Sequence, residues 1–149
     1  WLRRIPEAGL GVVAWLVASV WATDIGAYLV GRSVGGPRLA PVTSPKKTWA
    51  GLLGGMASAA AVGAATALLL QTWLPQGQGH TVAALALAGA ALALVAQAGD
   101  LLESAFKRHF RVKDASSLIP GHGGLLDRVD GLLSASLALA LVLRLAQGA

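Results

Sequence analysis

The most constraining feature of this sequence is its long apolar runs without charge, of which residues 51–70 are the clearest. A helix needs about 20 predominantly apolar residues to cross the hydrocarbon core of a bilayer. Hydrophobic residues make up 55% of the chain and charged residues only 13%, which is too apolar for a typical soluble domain. We therefore expect an all-α integral membrane fold, with the bilayer as its solvent.

Stretches of this kind predict about four transmembrane helices. The predicted spans are residues 9–30, 50–73, a third that begins with 81–98, and 131–147. The second span is dense in Gly and Ala, so Gly51, Gly54 and Gly55 are expected to pack closely against another helix. Between the first two spans, Gly, Pro and basic residues predict a loop with turns, and a helix start after Ser44 and Pro45.

The net charge of +5 is concentrated in the polar segments between the predicted spans. This distribution suits anionic headgroups or nucleotide phosphates, and we expect no nucleic-acid partner. Three arginines fall on the other side of the membrane: Arg3, Arg4 and Arg144. The larger basic set comprises Arg32, Arg38, Lys46, Lys47, Lys107, Arg108, Arg111, Lys113 and Arg128. The positive-inside rule then predicts that the polar loops are cytoplasmic.

A charged stripe follows the third apolar run. Asp100, Glu103, Ser104 and Lys107 are spaced i, i+3, i+4 and i+7, so they share one face if the helix continues. Intrahelical ion pairs at the end of an amphipathic helix are one interpretation of this pattern. A functional interpretation is favoured for Asp100, because ionisable groups near membrane depth are costly and usually functional.

Asp127 and Asp130 form a second i, i+3 pair of carboxylates, at the start of the fourth helix. Mg²⁺ prefers one or two carboxylates together with phosphate oxygens and water, so Asp100 with Asp127 or Asp130 predicts a magnesium site if the helices meet. A helix cap would account for Asp127 alone.

Further polar residues are candidates for phosphate contacts. The glycine-rich stretch 119–125 permits a tight turn around His122, which is structural in the plainer interpretation. A second group precedes the second span, near a helix N-terminus that favours anions, although an ordinary juxtamembrane basic cluster has the same composition. Its members are Ser44, Lys46, Lys47 and Thr48. Asp24 lies near the cytoplasmic end of the first span, where an interfacial, water-exposed residue is the alternative.

Several blocks of this sequence closely resemble those of bacterial phosphatidate cytidylyltransferases. The blocks are TDIGAYLVGR (23–32), SPKKTWAG (44–51), SAFKRHFRVKD (104–114) and IPGHGGLLDRVD (119–130). They stand in the family's order and cover nearly the whole chain. Ala50 departs from the family, which usually has glutamate there, and the N-terminal spans of full-length members are missing. The resemblance implies that residues 1–149 are a single membrane catalytic domain, the C-terminal portion of a larger polytopic bundle.

The resemblance also implies an activity: a phosphate oxygen of phosphatidate attacks the α-phosphorus of CTP, giving CDP-diacylglycerol and pyrophosphate. It implies Mg²⁺, a second cation such as K⁺, a homodimer, contacts with membrane lipids, and a bacterial inner membrane with the site facing the cytoplasm. The implied metal ligands are Asp100, Asp127 and Asp130. The implied phosphate-binding residues are Lys107, Arg108, Lys113, Arg128, Ser44, Lys46 and Lys47. Thr48 and Asp24 are further implied binding residues. Asp114 and His122 match the motif, but no separate role is assigned to either.

Other functions compete with this one. A CDP-alcohol phosphatidyltransferase also begins a motif with a DxxD pair, but the acid-free helix after Asp130 lacks its second pair. A CTP-dependent polyprenol or dolichol kinase shares the nucleotide and transfers the γ-phosphoryl group instead. A non-catalytic lipid-binding membrane fragment is the third alternative.

Overall fold

The computed structural model describes residues 1–5, 9–73, 81–110, 112 and 126–148. A short 3-10 helix, Leu2–Arg4, precedes α1 at Gly9–Val34. Strands β1 (Arg38–Ala40) and β2 (Ser44–Thr48) form an antiparallel hairpin. Helices α2 (Trp49–Trp73), α3 (Val82–His109) and α4 (Leu126–Gly148) follow.

The described part of the chain contains four helices long and apolar enough to cross a membrane. The predicted all-α membrane fold is thereby confirmed. The first, second and fourth predicted spans fall within α1, α2 and α4, and the third begins at Thr81, one residue before α3. The third span is longer than its apolar run, because α3 continues through the charged residues to His109. Many large apolar side chains on these helices are exposed, as expected of surfaces that face lipid.

The predicted helix start after Ser44 and Pro45 is wrong, because those residues belong to β2 and α2 begins at Trp49. The helix starts there because the Thr48 hydroxyl accepts a hydrogen bond from the backbone N–H of Gly51 at 3.0 Å. That contact satisfies one of the donors left unpaired at a helix N-terminus. Upstream, Gly35 ends α1 with a positive φ of 65°, a conformation that other residues adopt only with strain.

Glycines set how closely α1 and α2 approach. A Cβ added to Gly51 would lie 2.9 Å from the carbonyl oxygen of Ala27, and one added to Gly55 would lie 2.9 Å from that of Thr23. The prediction that Gly51, Gly54 and Gly55 pack against another helix is confirmed. One buried polar group is bonded within its own helix: the Thr23 hydroxyl donates to the carbonyl oxygen of Ser19 at 2.8 Å.

Residues from the first 3-10 helix, α1, α3 and α4 form one apolar cluster. Its buried members are Leu2, Leu16, Val20, Leu92, Ala96 and Ala135. At this level of the bundle the side chains are apolar, whereas the hairpin and the charged end of α3 lie together at one end. The chemistry-bearing residues therefore collect at that end.

Candidate functional site

A cavity of about 470 Å³ lies between α1, the hairpin, α2 and α3. Its volume is within the roughly 300–1,000 Å³ range typical of small-molecule sites. Five residues named in the sequence analysis as candidate site residues line it: Asp24, Lys46, Lys47, Thr48 and Asp100. Residues distant in sequence thus meet around one space that contains both signs of charge.

The irregular hairpin explains how two consecutive lysines reach the same cavity. Successive side chains of a regular strand point to opposite faces. In this hairpin Arg38 pairs with Thr48 and Ala40 with Ser44, so the segment of β2 between the paired residues is longer than that of β1. This register shift makes β2 irregular, and irregular pairing of this kind re-aims side chains locally. Both Lys46 and Lys47 consequently line the cavity.

An ion pair joins the hairpin to α3. The Lys47 ammonium nitrogen lies 2.5 Å from Oδ2 of Asp100, with side chains 20% and 36% exposed. The other carboxylate oxygen of Asp100 accepts from the hydroxyl of Ser104 at 3.4 Å, one turn further along α3. Because the pair is partly exposed, it contributes only about 0–1 kcal/mol to the hairpin's position.

Carboxylates from α1 and α4 are close to this pair. Asp24 interacts electrostatically with Asp100, with Asp130 and with Lys47. The backbone N–H of Gly131 donates to Oδ1 of Asp130 at 2.6 Å. Within the described ranges, no group of three or more Asp, Glu or His side chains is close enough to hold a metal ion by itself.

A close helix contact brings Asp130 toward Asp100. A Cβ added to Gly99 would overlap the Ser134 side chain of α4 and lie 3.6 Å from the carbonyl oxygen of Asp130. Glycine at position 99 thus allows α3 and α4 to touch directly beside Asp100. The Ser134 hydroxyl donates to the Asp130 carbonyl oxygen at 3.0 Å, which fixes its rotamer at that contact.

The charged stripe on α3 divides between two roles. Lys107 and Glu103 form an i, i+4 ion pair at 3.5 Å, as the intrahelical interpretation predicted. Asp100 instead pairs with a residue outside its own helix. Lys107 and Arg108 are in the last turn of α3 and do not line the cavity, and neither does Ser44.

Other predicted site residues lie outside what the structure describes. Lys113, Asp114 and His122 are outside the described residues. Asp127 and Arg128 belong to the first turn of α4, but their side chains are likewise outside the described part. The predicted metal set of Asp100, Asp127 and Asp130 therefore stays a prediction.

Sequence reasoning missed three residues that line the cavity as possible ligand contacts. Tyr28 and Arg32 follow Asp24 at four-residue steps, and the Arg32 guanidinium donates to the Tyr28 hydroxyl at 2.8 Å. That spacing places Asp24, Tyr28 and Arg32 on one face of α1, so it could have revealed Tyr28 and Arg32. Gln97 is buried one turn before Asp100. In the sequence, Gln97 could have been noticed as a lone amide within an apolar run.

These features define a helical membrane protein with a mixed-charge cavity at one end of its bundle. Residues 2–146 match the model of the cytidylyltransferase family. Because this match covers almost all of the sequence, the chain belongs to the cytidylyltransferase family.

Similar proteins include curated bacterial proteins named phosphatidate cytidylyltransferase. The one from Brucella suis is 50% identical over 140 residues, which are 94% of this chain and 49% of the relative. That from Pseudomonas aeruginosa is 43% identical over 90% of this chain and 47% of the relative. The one from Bacillus subtilis is 39% identical over 89% of this chain and 47% of the relative. The chain spans about half the length of these relatives.

Proposed function

We propose that this chain takes part in transferring the cytidylyl group of CTP to phosphatidate, giving CDP-diacylglycerol and pyrophosphate. Membership of the cytidylyltransferase family and the names of its curated relatives support this assignment. The observation that supports a particular location for the reaction is the cavity. Arg32, Lys46 and Lys47 line it together with Asp24 and Asp100. The cationic side chains suit the phosphate groups of CTP and phosphatidate, and the carboxylates suit a reaction that depends on a bound metal ion.

The reaction needs charge neutralisation more than proton abstraction. A phosphate oxygen of phosphatidate is already anionic, so it attacks the α-phosphorus of CTP without a strong general base. The bond from the α-phosphorus to the oxygen that bridges it to the β-phosphorus breaks, and that oxygen leaves with pyrophosphate. Fixed cations that hold the triphosphate in line with the attacking oxygen would supply positioning and electrostatic stabilisation. Lys46 and Arg32 are placed for this at the cavity wall.

The acidic residues fit a hard cation. Carboxylate oxygens of Asp100 and Asp130, with Asp127 in the first turn of α4, are donors of the type that Mg²⁺ prefers. Because no complete ligand group occurs in the described part, remaining ligands would be Asp127, phosphate oxygens and water. When bound, Mg²⁺ supplies charge neutralisation at the reacting phosphates. A second cation such as K⁺ belongs to the same proposal.

We assign the cavity to the cytoplasmic side of a bacterial inner membrane. Basic residues at the cavity end include Arg32, Lys46 and Lys47. At the opposite end, Arg144 of α4 stacks over the Trp1 ring at 5.5 Å. The positive-inside rule supports this orientation. Most of α4 is uncovered, with 6% of its apolar window buried against 28% for each other span, so it offers a surface for membrane lipids or the second copy of a homodimer.

The position of the transferred label tests the proposed reaction. The chain is assayed alone and as a replacement for the matching segment of the Brucella suis relative, in detergent with phosphatidate, Mg²⁺ and CTP. Label from α-labelled CTP in lipid, with pyrophosphate released, is the expected result. Label from γ-labelled CTP in lipid would instead identify a lipid kinase. No transfer by the chimera, when the intact relative is active, would leave this chain with a binding role and contradict the proposal.

A further inference from the structure

The ion pair between Lys47 and Asp100 raises a problem for a cation-dependent site. The Lys47 nitrogen is buried and, within the described part of the chain, makes no hydrogen bond besides its contact with Asp100. An ammonium group carries three N–H donors. Lys47 therefore satisfies one carboxylate oxygen and retains donor capacity beyond that contact, in a residue that lines the cavity.

Asp100 is affected in the opposite way. Its Oδ2 atom is in contact with the Lys47 ammonium and its Oδ1 atom accepts from Ser104. A divalent cation in contact with Oδ2 would be repelled by the ammonium group beside it, since two cations in contact with one oxygen repel each other. Lys47 and a metal ion therefore compete for this oxygen.

We propose that Lys47 is a positioning residue that occupies the cation position at Asp100 in the metal-free protein and moves to a phosphate group of CTP when Mg²⁺ binds. This inference rests on the proposed function. Lysine suits the exchange because its compact charge is carried on a flexible four-carbon stem. The cavity of about 470 Å³ provides space for the released group. Lys47 thus links occupancy of the metal site to binding of the nucleotide.

Lys46 provides a matched control. It carries the same charge, is next in sequence and lines the same cavity, but within the described residues it forms no ion pair. Removing its charge reproduces the general change in cavity electrostatics without removing the occupant of Asp100. A difference between the two lysines therefore reports the contact itself.

The test measures metal and nucleotide affinities separately. Mn²⁺ binding is followed by electron paramagnetic resonance in the wild type, Lys47→Met and Lys46→Met, and CTP binding is then measured at saturating Mg²⁺. Both are measured in the chain and in the Brucella suis chimera. We expect Lys47→Met to bind Mn²⁺ at least roughly fivefold more tightly than Lys46→Met does, at the low end of typical coupling. The same Lys47→Met variant should bind CTP more weakly than the wild type. Lys47→Arg, which keeps the charge, should restore the wild-type order of affinities.

Opposite effects on the two ligands separate this role from simpler ones. A purely structural role would weaken both ligands, and a purely phosphate-binding role would weaken CTP alone; either result overturns the proposal. Lack of Mn²⁺ binding to both wild type and Lys47→Met also overturns it. Lys47→Gln, which keeps a polar side chain, replaces Lys47→Met if that variant does not fold. Transfer of α-label by the wild-type chimera is independent of these outcomes, so failure of this inference is distinguishable from failure of the proposed function.

Discussion

The contact between Gly99 and Ser134 predicts that a single methyl group can separate the two acidic helices. In Gly99→Ala the new Cβ would overlap the Ser134 side chain. Carbon atoms in ordinary contact are about 3.5–4.0 Å apart, so α4 must move by roughly 1 Å or Ser134 must leave its rotamer. Overpacking of this kind costs about 1–3 kcal/mol of unfolding free energy. Since Asp100 and Asp130 flank the contact, we expect a loss of turnover as well, on the order of 100-fold for a displacement of about 1 Å.

The assay for this prediction combines unfolding in mixed detergent micelles with α-label transfer by the Brucella suis chimera. The double variant Gly99→Ala/Ser134→Gly moves the side-chain carbon from α4 to α3 and restores the space. Ser134→Gly alone is the control for the lost hydrogen bond and for glycine in a helix, which costs about 0.5–1 kcal/mol. We expect the double variant to be more stable than the sum of the single effects. Wild-type stability and activity in Gly99→Ala, or strict additivity in the double variant, would refute the reasoning.

Three further substitutions test the site and its support. Asp127→Asn should abolish Mg²⁺-dependent turnover while helix content by circular dichroism is unchanged, because one proposed metal ligand is lost; normal turnover would contradict the metal assignment. Thr48→Ala should lower unfolding free energy by about 1 kcal/mol through loss of the α2 cap, whereas Thr48→Ser should retain it. Gly35→Ala should cost about 1–2 kcal/mol because of its positive φ, and Gly11→Ala, where the added Cβ meets nothing, should not.

The membrane spans were predictable because the bilayer imposes both a length and an absence of charge on each helix. The hairpin was not, because β1 and β2 are short, rich in basic residues and lack the alternation of apolar and polar positions that marks a half-buried strand. The register shift that brings Lys46 and Lys47 to one cavity depends on strand pairing, which neither residue type encodes.

The charged residues that line the cavity could largely be predicted from the sequence, but some of its neutral residues were missed. Asp100 was predicted because charge at membrane depth is costly and Lys47 because it precedes a helix N-terminus that favours anions, and both lie with Asp24 around one cavity. That Lys47 pairs with Asp100 could not be read from spacing, because the contact depends on how the hairpin packs against α3. Gln97 carries no charge and gave only a weak signal, although its burial beside Asp100 is clear in the fold.

The proposed function requires the cavity between α1, the hairpin and α3 to receive CTP. Photocrosslinking with a photoreactive CTP analogue in detergent, with excess CTP as competitor and peptide mapping by mass spectrometry, tests it directly. Competitor-sensitive labelling is expected within residues 24–32, 38–48 or 97–100. Competitor-sensitive labelling confined to the Trp1 end of the bundle and the second half of α4 would contradict it.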